Sequence, residues 1–202
     1  SSSPPAPMTE SGPALQAMLG RRSRSKVDDT APSHEELLAL VAGAGRVADH
    51  SSMAPWRLVE LRGDDRVHLG RALNKANGEK GSSTKPLRAP LLIAVVATIQ
   101  KSAKVPGWEQ EAVASGVAHM LSLALDEAGW GVIWRTGHAT RSKPVAKAHG
   151  LAKNERLLGW LYVGGKPDST RPERIKAIAA AKFVSGMPQP RAASKPKNDT
   201  LQ

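Results

Sequence analysis

Hydrophobic residues recur at helical spacing in three early parts of the chain. This spacing predicts a short helix over 14–20 and an amphipathic helix over 66–76. Between them, Ser33 stands at an N-cap position with Glu36 three residues later, which predicts a helix that runs to about Gly45.

The longest helical stretch, 108–128, is apolar on nearly every side. Small residues such as Ala112, Gly116 and Ala118 would let another helix approach it closely. A helix with so little polar face is expected to be central in its assembly. A short helix is also predicted over 143–149.

Strand-like patterns alternate with these helices. Residues 56–61 alternate apolar and polar side chains, whereas 91–99 is almost continuously apolar and β-branched, as in a strand buried on both faces. Further strands are predicted at 132–134 and 158–163. The order of elements predicts an α+β fold in which helices cover a mixed sheet.

The two ends of the chain differ in composition from the middle. Residues 1–13 are small, polar and rich in proline, and are predicted to be a disordered leader. We expect one domain over 14–167 and a basic, partly disordered C-terminal extension over 168–202. We see no signal peptide and no membrane-spanning run, so we expect a cytoplasmic protein with no membrane partner.

Composition excludes several kinds of chemistry. Cysteine is absent, which excludes thiolate metal sites and thiol nucleophiles, and the six histidines show no metal-ligand spacing, so no metal is expected. The net charge of +11 is dispersed, and the single Tyr and single Phe offer no stacking platform, which argues against nucleic acid. A dispersed positive charge is equally compatible with binding of anionic small molecules, or with a role in solubility alone.

Three segments could carry binding chemistry. Arg21, Arg22 and Ser23 follow a helix-ending glycine and form either a phosphate site or a solvated basic loop. The polar loop from Arg46 contains His50, which could bind a ligand or cap the helix end.

The third segment is the glycine-flanked stretch 129–137. Its glycines permit close approach of a flat ligand, Trp134 offers an apolar wall, and Arg135 offers positive charge. The alternative interpretation is an ordinary core strand between glycine turns.

Taken together and in order, these segments resemble the FMN-dependent nitroreductase family, and more closely its small YdjA-type branch. The resemblance covers about 14–165. It rests on Arg-Arg-Ser at 21–23, Pro-Trp at 55–56, Arg-Ala-Pro at 88–90, Val-Pro-Gly-Trp-Glu-Gln-Glu at 105–111, Gly-Val-Ile-Trp-Arg-Thr-Gly at 131–137 and Leu-Gly-Trp-Leu-Tyr-Val-Gly at 158–164.

The resemblance implies an intertwined homodimer with FMN at the subunit interface and the helix at 108–128 in the dimer core. The resemblance places the FMN phosphate and ribityl chain on Arg21, Arg22 and Ser23 of one subunit, and it brings Arg46 and His50 of the other subunit near the flavin. It further implies that residues 124–129 contact the nicotinamide nucleotide. The residues implied to line the isoalloxazine are Trp134, Arg135, Thr136 and Gly137.

The activity implied is hydride transfer from NAD(P)H to FMN, then to a nitroaromatic or quinone-like small-molecule acceptor, in ping-pong order. FMN would carry the chemistry, so no protein residue is expected to be catalytic. The alternatives are a non-catalytic flavin-binding or sequestering protein on the same scaffold, and a basic nucleic-acid-binding module.

The chain departs from the family pattern at three places. Ala54 stands where the family commonly has a Gln before Pro-Trp, a residue that would bond the flavin ring. Ser25 replaces a second basic residue, with Lys26 beside it as a substitute. Beyond Gly165 the match fades, although Phe183 and Val184 resemble a C-terminal segment that embraces the partner.

Overall fold

The structure, a computed structural model, describes residues 12–167 and 177–192. The predicted leader at 1–11 and the parts of the predicted extension at 168–176 and 193–202 lie outside the described residues.

Every predicted helix and strand is present, with ends shifted by at most three residues. The helices are α1 (Pro13–Gly20), α2 (His34–Ala44), α3 (Asp65–Ala76), α4 (Gly107–Glu127) and α5 (Lys143–Ala148). The strands are β1 (Trp56–Arg62), β2 (Leu91–Thr98), β3 (Trp130–Arg135) and β4 (Glu155–Gly165). Short 3₁₀ turns lie at His50–Ser52, Lys85–Arg88, His138–Arg141 and Ala180–Lys182.

The four strands form one sheet in the order β1-β2-β4-β3. The α+β class is confirmed. Within the described residues every pairing is antiparallel, whereas we expected a mixed sheet. The reason is that β4 lies between β2 and β3 and runs opposite to both, so these two parallel strands of the described chain are not neighbours in the sheet.

Strand β2 is central, and its residues from Leu91 to Ala97 are fully buried, which confirms the prediction of a strand covered on both faces. Alternate side chains enter two separate cores because successive residues of a strand point to opposite faces. Ile93 and Val95 pack with residues of α2 and α4, whereas Leu92 and Ala94 pack with residues of α3 and α5.

The start of α2 joins the sheet through its cap. Ser33 Oγ accepts a hydrogen bond of 3.1 Å from the Glu36 amide, which confirms the predicted N-cap. The Glu36 side chain in turn accepts a hydrogen bond of 2.9 Å from Trp130 Nε1, so the first turn of α2 is bonded to β3.

Helix α4 packs one face on the sheet and leaves the other uncovered in the single chain. Val117, Leu121 and Leu125 are fully buried against the sheet, whereas Trp108 is 72% exposed and Met120 44% exposed. The single chain therefore buries α4 on the side that faces the sheet but not on the opposite side, so the central position predicted for this helix is only half met. Neither α4 nor any other helix of the described residues is long and apolar enough to cross a membrane.

An ion pair locks the start of β4 to β1. Arg57 Nε donates to Glu155 Oε2 at 2.6 Å, and Thr98 Oγ1 donates to the same oxygen at 2.8 Å. The Glu155 side chain is only 8% exposed. The hydrogen bond from Arg57 is the main reason that the pKa of Glu155 is lowered to about 2.

This ion pair predicts a specific acid sensitivity. A carboxyl whose folded pKa lies below its ordinary 4.5 stabilises the fold fully above pH 4.5, and that stabilisation is lost as the pH falls toward about 2. We expect Glu155→Gln to lower the free energy of unfolding by about 1.5–3 kcal/mol at pH 7. The difference from the unsubstituted protein should shrink in urea titrations between pH 4.5 and 2.

Glu111→Gln is the matched control. Glu111 lies 3.5 Å from Arg156 in an ion pair that is largely solvated, so its loss should cost less than about 1 kcal/mol. Equal effects of the two substitutions at pH 7 would contradict the assignment of Glu155.

Candidate functional site

A segment near the amino end lies along the ends of β3 and β4. We call residues 24–30 the strap. The Arg24 amide donates to the Val132 carbonyl at 2.9 Å, the Asp28 amide donates to the Gly165 carbonyl at 2.9 Å, and the Gly165 amide donates to the Thr30 carbonyl at 3.0 Å. The strap is thus held by backbone bonds to two strands, and it fixes where the preceding residues 21–23 lie.

Glycines in the two strands make room for the strap. A Cβ atom on Gly131 would lie 2.8 Å from Val27 Cγ1, and a Cβ on Gly164 would lie 2.6 Å from Val27 Cγ2 and 2.7 Å from the Asp28 carbonyl oxygen. A Cβ on Gly165 would collide with the Asp28 carboxylate. Three side chains are therefore absent where the strap needs to approach.

The strap delivers two arginines to a first cavity of about 200 Å³ beside the end of α4. The cavity is lined by Arg21, Arg22, Ser23, His119, Ser122, Asp126, Val132 and Trp134. Its carboxylate is already neutralised, because Lys166 Nζ lies 3.2 Å from Asp126 Oδ1.

Arg21 and Arg22 form no ion pair within the described residues. Two guanidinium groups and a hydroxyl in a small cavity with a compensated carboxylate fit a dianionic phosphate. The sequence-predicted residues Arg21, Arg22 and Ser23 are thus brought together here, with Trp134.

A second cavity of about 630 Å³ lies at the end of β3, toward α3. Its wall is formed by the predicted residues Trp134, Arg135, Thr136 and Gly137, together with Leu73, Asn74, Asn77, Glu79, Ser83, Lys85, Arg88, Ile133, His138, Ala139, Trp160 and Tyr162. Its volume lies in the range typical of sites for small molecules and cofactors.

Arg135 gives this cavity an unsatisfied donor. The guanidinium carbon lies 5.4 Å from the centre of the Tyr162 ring, a cation–π distance. Its Nε atom is buried and has no hydrogen-bond partner within the described residues. A buried donor without a partner is uncommon and points to a ligand acceptor at this position.

The sequence analysis missed two basic residues of this wall. Lys85 and Arg88 belong to the 3₁₀ turn before β2, and the sequence singles out only Arg88, as part of the Arg-Ala-Pro motif at 88–90. The turn is positioned by α3: the Ser83 amide donates to the Gly70 carbonyl at 2.9 Å, and a Cβ on Gly70 would collide with Ser83. The signal available was two basic residues directly before a buried strand.

Trp134 and Arg135 point to opposite faces of the sheet, as neighbours in a strand must. The Trp134 indole packs edge-on against His119, with ring centres 5.1 Å apart, and its Nε1 donates to the Leu158 carbonyl at 3.1 Å. Trp134 lines both cavities, whereas Arg135 lines only the second. Trp134 is thus the residue common to both linings, with the first cavity on the α4 face of the sheet and the second on the α3 face, and its indole donor is already in use.

Arg46 and His50 lie in neither cavity of the single chain. They belong to the loop between α2 and β1, where His50 Nδ1 is 3.5 Å from Glu109 Oε1 at the start of α4. The role predicted for them concerns the flavin of the other subunit, so it stays a prediction. The predicted nicotinamide segment 124–129 lies at the end of α4, and Asp126 is its contribution to the first cavity.

The same loop holds unusual backbone conformations. Ser51, Ser52 and Ala54 have φ angles of 62°, 49° and 45° in the left-handed region. Two hydrogen bonds hold the loop. The Ala54 amide donates to the Asp49 carboxylate at 2.7 Å, and Gln100 Nε2 donates to the Met53 carbonyl at 2.8 Å. Strained backbone of this kind is common at functional sites and needs such support.

Comparison with known proteins agrees with this geometry. The family model described as "Nitroreductase family" matches residues 18–165. The "Putative NAD(P)H nitroreductase YdjA" of Escherichia coli strain K12 is 35% identical over 159 residues, which cover 75% of this chain and 87% of that protein.

Solved structures share the fold at lower identity. A nitroreductase-like family protein from Bacillus cereus superposes with a TM-score of 0.70 at 20% identity, covering 88% of this chain and 98% of the other. A mutant of the FMN and NADPH-dependent nitroreductase NfnB from sphigopyxis sp. strain HMH superposes with a TM-score of 0.69 at 15% identity, covering 87% and 99%.

The glycine contacts predict what holds the strap in place. We expect Gly164→Ala to lower the free energy of unfolding by about 1–3 kcal/mol, because the added methyl group forces the strap away from β4. Amide exchange at Asp28, measured by mass spectrometry or NMR, should accelerate in the same variant.

Gly107→Ala is the control, since its Cβ would meet only Ile99 Cγ2 at an ordinary 3.5 Å. A Gly164→Ala protein that unfolds at the same urea concentration as the parent, with unchanged exchange at Asp28, would refute this account of the strap.

Proposed function

This chain belongs to the nitroreductase family of oxidoreductases, and we propose that it is an FMN-dependent NAD(P)H oxidoreductase that reduces a nitroaromatic or quinone-like acceptor. The observation that carries the proposal is a pair of cavities that share Trp134 in their linings: among the described residues, Arg21 and Arg22 of the first form no ion pair and the buried Nε of Arg135 in the second has no hydrogen-bond partner. The name of the NfnB relative states FMN and NADPH dependence for that protein, which supports the same chemistry here.

The residues present fit FMN. The second cavity, of about 630 Å³, offers room and donors for a flat ring, with Asn74, Lys85 and Arg135 in its wall. The first cavity offers Arg21, Arg22 and Ser23 for a phosphate dianion. When bound, FMN would supply the redox chemistry, taking hydride from NAD(P)H and passing it to the acceptor in ping-pong order.

The chain itself would supply orientation and charge. Lys85, Arg88 and Arg135 line the second cavity against one carboxylate of that wall, Glu79. Fixed positive charge in a partly desolvated cavity favours negative charge on its occupant, which is the change that reduction of a flavin ring produces. No catalytic side chain is required of the protein.

We propose that two copies of the chain form the functional unit. In the single chain the outer face of α4 exposes Trp108 and Met120, and the C-terminal segment exposes Phe183 at 75% and Met187 at 89%. Exposed apolar side chains in such numbers are typical of an interface. A second subunit would cover them and would bring the partner subunit's His50 and the partner subunit's Arg46 toward the flavin.

The domain limits follow this proposal. We propose residues 14–167 as the FMN-binding domain and 168–202 as an extension directed at the partner, in a cytoplasmic protein.

The second candidate function is a flavin-binding or sequestering protein without turnover. Ala54 favours it, because the short Ala54 side chain cannot bond the flavin ring and the Ala54 amide already donates to the Asp49 carboxylate.

Removal of either arginine of the first cavity should weaken FMN binding. We expect Arg21→Ala and Arg22→Ala each to cost about 1.5–3 kcal/mol of binding free energy, roughly a 10- to 150-fold rise in Kd, if each holds the phosphate by charge-assisted bonds. Quenching of FMN fluorescence by the apoprotein measures the Kd.

Arg71→Ala is the matched control, because Arg71 lies on α3 and lines neither cavity. Unchanged FMN affinity in both arginine variants would remove the phosphate site from the first cavity.

Turnover separates the enzyme from the carrier. We expect the purified protein to be yellow, to lose its absorbance near 450 nm when NADH or NADPH is added without oxygen, and to regain it on addition of a nitroaromatic. A yellow protein that neither nucleotide bleaches would support the flavin-binding protein without turnover. A colourless monomer that does not bind added FMN would refute both the enzyme and the flavin carrier.

A further inference from the structure

A third cavity lies on the far side of α3 from the second cavity. Its volume is about 610 Å³, and it forms a groove between β1, α3 and α5. The groove shares no lining residue with the second cavity: α3 turns Ala72 and Lys75 toward the groove and Leu73 and Asn74 toward the second cavity. It is thus a separate space, divided from the proposed flavin cavity by a single helix.

The floor of the groove is aliphatic. It is formed by Val59, Leu61, Leu69, Ala72, Pro144 and Ala148, and the ring-bearing side chains of the lining are His68 and His149. Leu69 is 1% exposed, so the floor is continuous with the core. A floor without Phe, Tyr or Trp suits an aliphatic body better than a stacked aromatic one.

His149 gives the floor no reactive group. Its Nδ1 donates to the Val145 carbonyl at 2.7 Å, and its Nε2 accepts from Trp160 Nε1 at 3.0 Å. Both ring nitrogens are thereby used by the neutral imidazole, and burial lowers the pKa of His149. The groove is therefore equipped for binding and not for proton transfer.

The rim of the groove is basic. His68, Arg71 and Lys75 follow one another at spacings of three and four residues on one face of α3, and Lys147 faces them from α5. Arg71, Lys75 and Lys147 are exposed and form no ion pair within the described residues.

The two carboxylates of the lining, Glu60 and Asp65, are already engaged. Glu60 Oε2 lies 2.6 Å from His34 Nδ1, and its Oε1 accepts from Arg62 Nη2 at 3.0 Å. Asp65 accepts 3.1 Å from the Arg62 amide. The charge left for a ligand at this groove is thus positive.

We propose that the groove binds an amphiphilic carboxylate with an aliphatic body. The body would cover the Leu69 and Ala72 floor, and the carboxylate would lie between Lys75 on α3 and Lys147 on α5. The volume matches the typical 300–1,000 Å³ of small-molecule sites. The proposal does not depend on the flavin chemistry, because no residue of the two sites is shared.

Calorimetric titration of the whole 202-residue chain with octanoate, in low salt and with saturating FMN, tests the proposal. Octanamide is the neutral counterpart of the same shape. We expect octanoate to bind with about fivefold higher affinity than octanamide, since an exposed pair of charges contributes up to about 1 kcal/mol. The flavin absorbance spectrum should not change on binding.

Matched substitutions locate the site. Lys147→Glu and Lys75→Glu should each weaken octanoate binding about fivefold. Lys143→Glu makes the same change of charge on the same short helix α5, but Lys143 does not line the groove, so its effect should stay below about twofold. Ala148→Leu should weaken both octanoate and octanamide by filling the groove.

The controls decide each alternative. Circular dichroism and melting temperature confirm that every variant is folded. Equal weakening by Lys143→Glu and Lys147→Glu would show a diffuse field instead of a site. Octanoate binding that is seen in the FMN-free protein and is lost with saturating FMN would place the ligand in the flavin cavity. Either result, or equal affinity for octanoate and octanamide, overturns the proposal.

Discussion

Close contact between the strap at 24–30 and the glycine positions of β3 and β4 is the constraint on which the candidate site depends. Gly131, Gly164 and Gly165 remove the side chains that would otherwise stand between the strap and the sheet, and three backbone hydrogen bonds then fix its register. Because the strap is fixed, residues 21–23 lie beside Trp134 and the end of α4. A shift of this segment by a few ångströms would move the arginines away from the other residues of the first cavity.

The positions of the carboxylates determine where the positive charge of the chain is available to a ligand. Glu155 is bound by Arg57, Asp126 by Lys166, and Glu60 by Arg62 and His34. Asp126 and Glu60, which line cavities, are therefore paired with cations. In each of the three cavities the Lys and Arg residues of the lining outnumber the carboxylates, so a net charge of +11 that looks dispersed along the chain becomes locally concentrated where anionic ligands would bind.

Helix α3 organises the other half of the molecule. It forms one wall of the second cavity, supports the 3₁₀ turn that carries Lys85 and Arg88, and closes the groove toward α5 on its opposite face. These tasks fall on different faces of the helix because residues three or four apart share a face, whereas adjacent residues do not. A change in the position of α3 would therefore be felt in both spaces.

The sequence by itself determined every helix and strand of the described chain, the Ser33 cap, the burial of β2 and the family, because each is written in local periodicity or in ordered motifs. Only the tertiary structure decided which cavities Trp134 and Arg135 line, that Lys85 and Arg88 join the second cavity, and that the described sheet is antiparallel. These depend on which distant segments meet. The contact of Gly70 with Ser83, and of Gly164 with Val27, joins residues far apart in the chain, and no local pattern encodes such a pairing.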